Sequence, residues 1–169
     1  TIVPDLLSAR MFYETGLLSL DFNETMDGTL ANGNVGLDLT KYSLANAPGG
    51  NEIPLYGADV ETLVDGYTIN VTLTELQRVA GIALSKYPGG DGISVVLDQQ
   101  SGGAAVDIAQ NPVHERIGFD VVEFQDLRQP LPIRAKLFLA TGILTVTSDE
   151  IMDLTPLVGL FDTTFVLST

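Results

Sequence analysis

Alternation of apolar and polar residues is the clearest pattern along the chain. Residues 18–23 read Leu-Ser-Leu-Asp-Phe-Asn, and residues 67–73 read Tyr-Thr-Ile-Asn-Val-Thr-Leu. A period of two predicts half-buried strands. The turn pairs Thr15-Gly16 and Asp65-Gly66 precede them, and further short strands are predicted at 60–63, 93–97, 104–108 and 119–124. This succession of short strands and turns predicts an all-β fold, an antiparallel two-sheet sandwich.

One segment has a helical period instead. Thr74 and Gln77 have the spacing of a capping box, in which Thr74 is the N-cap and Gln77 reaches back. Pro88-Gly89-Gly90 ends the run. The sequence therefore predicts one short helix at about 74–85, which covers one end of the sandwich through an apolar stripe: Leu76, Val79, Ala80, Ala83 and Leu84.

The chain also resembles itself at a constant offset of 126 residues. Residues 9–27 and 135–153 share eight identities over 19 positions. This self-similarity predicts a complete repeat at 1–125 and the opening strands of a second, truncated repeat at 126–169. The second copy stops about a third of the way through, so we expect either a longer natural protein or completion of this copy by another chain.

The truncated copy suggests where the protein assembles. Its two predicted strands, 135–139 and 143–148, cannot bury an apolar face alone, and open strand edges recruit pairing partners. We therefore expect residues 126–169 to pack against further copies of the repeat, neighbouring chains, or more of the same protein. The predicted assembly residues are Ala135, Leu137, Leu139, Ile143, Leu144 and Val146.

Charge and composition exclude several functions. With 22 acidic and 8 basic residues the net charge is −14. Such a polyanion repels nucleic acid and anionic lipid, so we expect no nucleic acid partner and no membrane insertion by this segment. The chain has no Cys, which excludes disulfides and zinc–thiolate sites. Its one histidine, His114, lacks a nucleophile elbow or second catalytic partner in the sequence, so no enzymatic activity is predicted.

Three segments, in their order and spacing, resemble a known group of repeats. They are residues 15–27, 73–82 and 107–113. They are similar to the bacterial-type Ig-like repeats of surface-layer proteins and adhesins, and closest to extracellular repeat arrays of marine protists and algae. The resemblance implies an Ig-like sandwich in a tandem array. Gln110 stands where these repeats usually have Gly, which puts the tight turn there in doubt.

The same resemblance implies a function. It indicates a non-catalytic structural module of an extracellular surface or filament protein, at the cell surface or on a surface appendage, acting as spacer and assembly element. Two alternatives stay open: a calcium-dependent adhesion or glycan-binding module, and an accessory domain of a secreted hydrolase.

Two kinds of candidate site remain. The sequons at Asn23 and Asn70 lie on the polar phase of their strands, so both could carry glycans in a eukaryotic secretory pathway. No cofactor is predicted except calcium, which favours clustered carboxylate and carbonyl oxygens. Its candidate ligands fall in one turn and at the junction between the repeats: Asp107, Asn111, Glu123 and Asp126. A solvated acidic surface is the alternative to a calcium site.

Overall fold

The computed structural model describes residues 3–28 and 36–152, and this part of the chain is mostly β. It has one α-helix, α1 (Glu75–Leu84), and a short 3-10 turn at Leu39–Lys41. The strands are β1 (Leu6–Phe12), β2 (Leu17–Met26), β3 (Tyr42–Ala45), β4 (Ile53–Pro54), β5 (Asp59–Val60), β6 (Gly66–Thr72), β7 (Val96–Gln99), β8 (Arg116–Phe124), β9 (Pro132–Phe138) and β10 (Ile143–Ser148). The chain divides into two compact units, Thr1–Arg128 and Gln129–Thr169.

Strands β1 to β8 form one curled sheet in the order β4-β3-β7-β8-β1-β2-β6-β5. Strand β8 joins its two halves. Residues 116–120 of β8 pair with β7 in antiparallel register, and residues 121–124 pair with β1 in parallel register. The pairing therefore runs without a break through β8, where two separate and wholly antiparallel sheets were expected.

The core lies inside this curled sheet and draws on both halves. The alternation predicted for β2 and β6 is confirmed at Leu18, Leu20, Phe22, Ile69 and Val71, which are all buried. It is not confirmed at Tyr67, which is 60% exposed. The buried residues form one cluster with side chains of the β3–β7 half: Tyr42, Leu44, Ile53, Leu55 and Leu97. One core serves all eight strands, so the two halves of the sheet depend on each other for burial.

Helix α1 confirms the predicted capping box, and the predicted apolar stripe in part, since Ala80 and Leu84 pack against the core. Thr74 and Gln77 exchange both capping hydrogen bonds. The helix, however, buries Arg78 and Gly81, whereas Leu76 is 75% exposed. A Cβ added at Gly81 would stand 3.1 Å from the Tyr13 ring, so the absent side chain allows this close approach. The buried face therefore overlaps the predicted stripe only in part, because contact with Tyr13, and not apolar content alone, selects it.

Three predicted strands shift or shorten. The strand expected at 93–97 is β7, which begins at Val96, and the one expected at 60–63 is the two-residue β5. The amide of Ile93 donates to the Asp91 side chain at 2.9 Å, a local turn bond that competes with ladder pairing. Residues 104–108 contribute only isolated bridges, to Met26, Leu37 and Pro112.

Candidate functional site

The second unit presents a two-stranded hairpin, β9–β10. Ala135 pairs with Val146 and Leu137 with Leu144, and these four residues share one side of the hairpin, which we call the apolar face. Leu137 and Leu144 are 41% and 38% exposed. Among the described residues this sheet has only two strands. The hairpin is therefore an apolar surface that no third described strand flanks.

The six predicted assembly residues do not form a single surface. Four of them make up the apolar face, as expected. Ile143 pairs with Phe138 on the opposite side, and Leu139, in the turn, is 88% exposed. Neighbouring residues of a strand point to opposite sides, so Ile143 and Leu144 cannot act on the same surface.

The pairing of β9–β10 coincides with that of β1–β2 at the offset of 126. Met11 pairs with Leu18 as Leu137 pairs with Leu144, and every other pair in the two ladders corresponds in the same way. The irregularities correspond too, since both registers shift at the equivalent outer end. The two hairpins thus share one register over their whole length.

Their turns and open ends also agree. The amide of Gly16 donates to the Phe12 carbonyl at 2.9 Å, and that of Gly142 to the Phe138 carbonyl at 2.8 Å. Both glycines have positive φ, 72° and 69°, where a side chain would be strained. At the other end, the Asp149 side chain accepts from the Leu131 amide at 2.8 Å, as the Asn23 side chain accepts from the Asp5 amide at 2.7 Å.

The two hairpins differ in what covers them. In the first unit β8 pairs with β1 and β6 with β2, and the residues equivalent to the apolar face are all buried: Ala9, Met11, Leu18 and Leu20. No described strand takes either place beside β9–β10. The same local structure is therefore buried in one unit and exposed in the other.

The side of the hairpin opposite the apolar face carries positive charge, and we call it the basic face. It comprises Arg134, Lys136, Phe138, Ile143, Thr145 and Thr147. The Lys136 ammonium lies 4.4 Å from the centre of the Phe138 ring, a cation–π contact.

Charge pairing on the equivalent side of the first unit is different. There Arg10 lies 2.7 Å from the Asp21 carboxylate. Burial raises the pKa of Asp21, but hydrogen bonds from Ser8 and Thr68 and the charge of Arg10 outweigh it and lower the pKa. Thr147 stands where the first unit has Asp21, so the basic face lacks the carboxylate of its counterpart.

The structure brings two of the four predicted calcium ligands together. The Asp107 carboxylate accepts from the amide and the side-chain nitrogen of Asn111, both at 2.8 Å. Burial raises the pKa of Asp107, but these bonds outweigh it and lower the pKa. Gln110 takes φ of 64° in this turn, and its side chain donates to Asp27 at 2.9 Å. The turn therefore keeps a left-handed residue without glycine.

The other two predicted ligands have partners of their own. Glu123 accepts from the Tyr13 hydroxyl at 2.8 Å, and Asp126 accepts from Arg78 at 2.6 Å. Over the described ranges, no group of three or more His, Cys, Asp or Glu side chains could hold a metal ion. Calcium binding stays a prediction, and calorimetric titration of the chain with calcium tests it.

Both sequon asparagines lie on strands of the first unit. Asn23 is exposed near the end of β2, and Asn70 is half-buried on the outward side of β6. Glycosylation of these two sites stays a prediction, which the mass of protein secreted by a eukaryotic host tests before and after glycosidase treatment.

Sequence reasoning missed Arg78, the buried cation of the first unit. Its guanidinium contacts both oxygens of Glu75 at 2.8 Å, the Tyr13 carbonyl at 3.0 Å and Asp126 at 2.6 Å. It thereby links helix α1, the end of β1 and the segment that follows β8. The available signal was a single arginine inside an apolar helical segment, three residues after an acidic one.

Comparison with known proteins adds no relative. No protein family, no curated protein and no solved structure matches the chain. In the ranges that the structure describes, no helix has the length and apolar character needed to cross a membrane.

Proposed function

We propose that this chain is a non-catalytic structural repeat module of an extracellular surface or filament protein, acting as spacer and assembly element. In this proposal residues 1–125 are one Ig-like repeat and residues 126–169 begin the next. One observation carries the proposal: β9–β10 reproduces the register, turn and end bonds of β1–β2 but exposes the side chains that the first unit buries.

Exposure of the apolar face supports the assembly role. An isolated two-stranded hairpin is marginally stable in water, so β9–β10 gains stability from any surface that covers it. Covering is worth on the order of 1–2 kcal/mol for each large apolar side chain. A single contact of this size is weak, and many contacts along an array add to strong assembly.

Anchoring of both ends of the first unit supports the spacer role. The segment before β1 is held by Asp5, whose carboxylate pairs with Arg116 of β8. This hydrogen bond lowers the pKa of Asp5. The segment after β8 is held by Asp126, which pairs with the buried Arg78. A module whose entering and leaving segments are fixed to its body transmits tension, and sets the orientation of the next module, better than one whose end segments move freely.

Sedimentation equilibrium of the full chain tests the assembly role. We expect the wild-type mass to rise with concentration, and Leu137→Asp or Leu144→Asp to hold the protein at monomer mass. Leu76→Asp, at a leucine of helix α1 that is 75% exposed, is the matched control, because it makes the same substitution outside the hairpin. Association that survives both leucine substitutions would contradict the assembly role.

A further inference from the structure

We propose that β9 of one copy pairs edge to edge with β5 of a second copy of this chain. In this pairing Arg134 and Lys136 of the basic face lie beside the two carboxylates of the β5 edge, Asp59 and Glu61. This inference rests on the proposed function, because it names the partner of the assembly hairpin and the strand that receives it.

Strand β5 is the end strand of the large sheet within the described ranges. Asp59 and Glu61 are exposed, and because they are two residues apart on an extended segment they point to the same side. The Glu61 amide donates to the Asn70 carbonyl at 2.8 Å, so ladder bonding to β6 continues past Val60. Neither carboxylate has an ion-pair partner in the part of the chain that the structure describes.

Apolar side chains adjoin this acidic edge in the chain. Leu63 and Val64 lie between β5 and β6, Tyr67 is the second residue of β6, and each of the three is more than half exposed. The edge therefore combines two carboxylates with exposed apolar surface, which a partner of opposite charge and similar apolar content can cover.

Strand β9 has the complementary arrangement. Arg134 and Lys136 are also two residues apart and point to one side. The edge of β9 away from β10 has no described partner, whereas the same edge of β1 is paired with β8. Exposed apolar side chains again adjoin the charges, at Phe138, Leu139 and Ile143.

Spacing and charge make the two edges fit. Residues two apart on a strand are separated by about 6.6–6.8 Å, so both cations can face both carboxylates when the strands pair. Opposite charges directly across strands stabilise pairing, and like charges oppose it. Two β5 edges therefore repel each other, as do two β9 edges. The contact that stays favourable joins β9 of one copy to β5 of the next. Such a head-to-tail contact builds an open chain of copies unless the rotation between successive copies closes a ring.

Charge reversal with rescue tests this pairing in the full chain. One variant carries Arg134→Glu and Lys136→Glu, a second carries Asp59→Lys and Glu61→Lys, and a third carries all four changes. We expect each double variant to lower the association constant about tenfold. The fourfold variant restores association, because its edges are again opposite in charge and its net charge equals that of the wild type. An equimolar mixture of the two double variants also associates.

The outcomes separate this inference from the proposed function. If both double variants associate like the wild type while Leu137→Asp abolishes association, the β5 pairing is wrong and the assembly role stands. If the wild type never exceeds monomer mass, both fail. If the reversals change stability at constant monomer mass, the pair lies within one chain and the β5 pairing between copies is overturned.

Discussion

Replacement of Arg78 by methionine should cost more stability than any other single ion-pair substitution in the first unit. The change keeps an unbranched apolar stem but removes a guanidinium that is buried among Glu75, Asp126 and the Tyr13 carbonyl. Its loss frees helix α1 and the segment after β8 from each other.

The size of the effect follows from the exposure of each partner. The Asp126 side chain is 14% exposed, and breaking a largely desolvated pair by removing one partner costs about 3–5 kcal/mol. The Glu75 side chain is 43% exposed, so its pair contributes only about 0.5 kcal/mol. We therefore expect losses of about 4 kcal/mol for Arg78→Met and about 0.5 for Glu75→Ala. Asp126→Ala should cost less than Arg78→Met, about 2 kcal/mol, because Arg78 keeps its bonds to Glu75 and the Tyr13 carbonyl.

Urea unfolding of the full chain, followed by far-UV circular dichroism, measures these losses. Arg10→Met is the matched control, because Arg10 pairs with Asp21 at a more exposed position, and it should cost about 1 kcal/mol or less. An Arg78→Met loss below about 1 kcal/mol, or a Glu75→Ala loss equal to that of Asp126→Ala, would refute the reasoning from burial.

Three further predictions concern backbone strain and a buried hydroxyl. Gln110 has positive φ, which glycine adopts freely and a β-branched residue does not. Gln110→Gly should therefore change the free energy of unfolding by less than about 1 kcal/mol, whereas Gln110→Val should cost about 2 kcal/mol. Equal losses for the two variants in thermal melts would contradict the argument from backbone strain. Gly118→Ala would put a Cβ 2.4 Å from Pro48 and should cost about 3 kcal/mol. Gly57→Ala, whose Cβ meets nothing within 4 Å, should cost about 1 kcal/mol. Urea titration measures both losses, and equal losses would contradict the proposed clash with Pro48. Burial raises the pKa of Tyr42 above its usual 10.0, so the folded state keeps a proton that the unfolded state loses. This difference should lower stability by about 1 kcal/mol between pH 10 and pH 11. Denaturation at these two pH values should therefore show a shallower fall in Tyr42→Phe, and an unchanged fall would contradict the reasoning.

Elements with local signals could be predicted from the sequence. Strands β2 and β6 follow from strict alternation, and the start of α1 follows from the capping pair Thr74 and Gln77. In each case neighbouring residues carry the whole signal, because strand period and helix capping depend on positions within a few residues.

Features set by distant contacts could not be predicted. Nothing near β8 in the sequence shows that its two halves pair with different strands, one of them in parallel. The buried face of α1 depends likewise on the fit between Gly81 and the Tyr13 ring, which are far apart in the chain. Such choices follow from tertiary packing, which overrides the apolar pattern of a single segment.

The candidate site shows the same division. All six residues that the sequence predicts for assembly lie in or beside the β9–β10 hairpin, because their pattern repeats that of β1–β2. It did not separate Ile143 from Leu144, although strand geometry requires them to face opposite sides. The acidic edge at Asp59 was missed because only the strand order places β5 at the end of the sheet.

Amide hydrogen exchange in the β9–β10 hairpin is the most direct test of the assembly role. The amides of β9 and β10 should exchange more slowly as protein concentration rises, because a second copy covers the hairpin, while those of β2 and β6 should not change. Leu137→Asp should remove the concentration dependence. Exchange rates in β9 and β10 that stay the same across the concentration range would contradict the claim that this hairpin is covered by another copy.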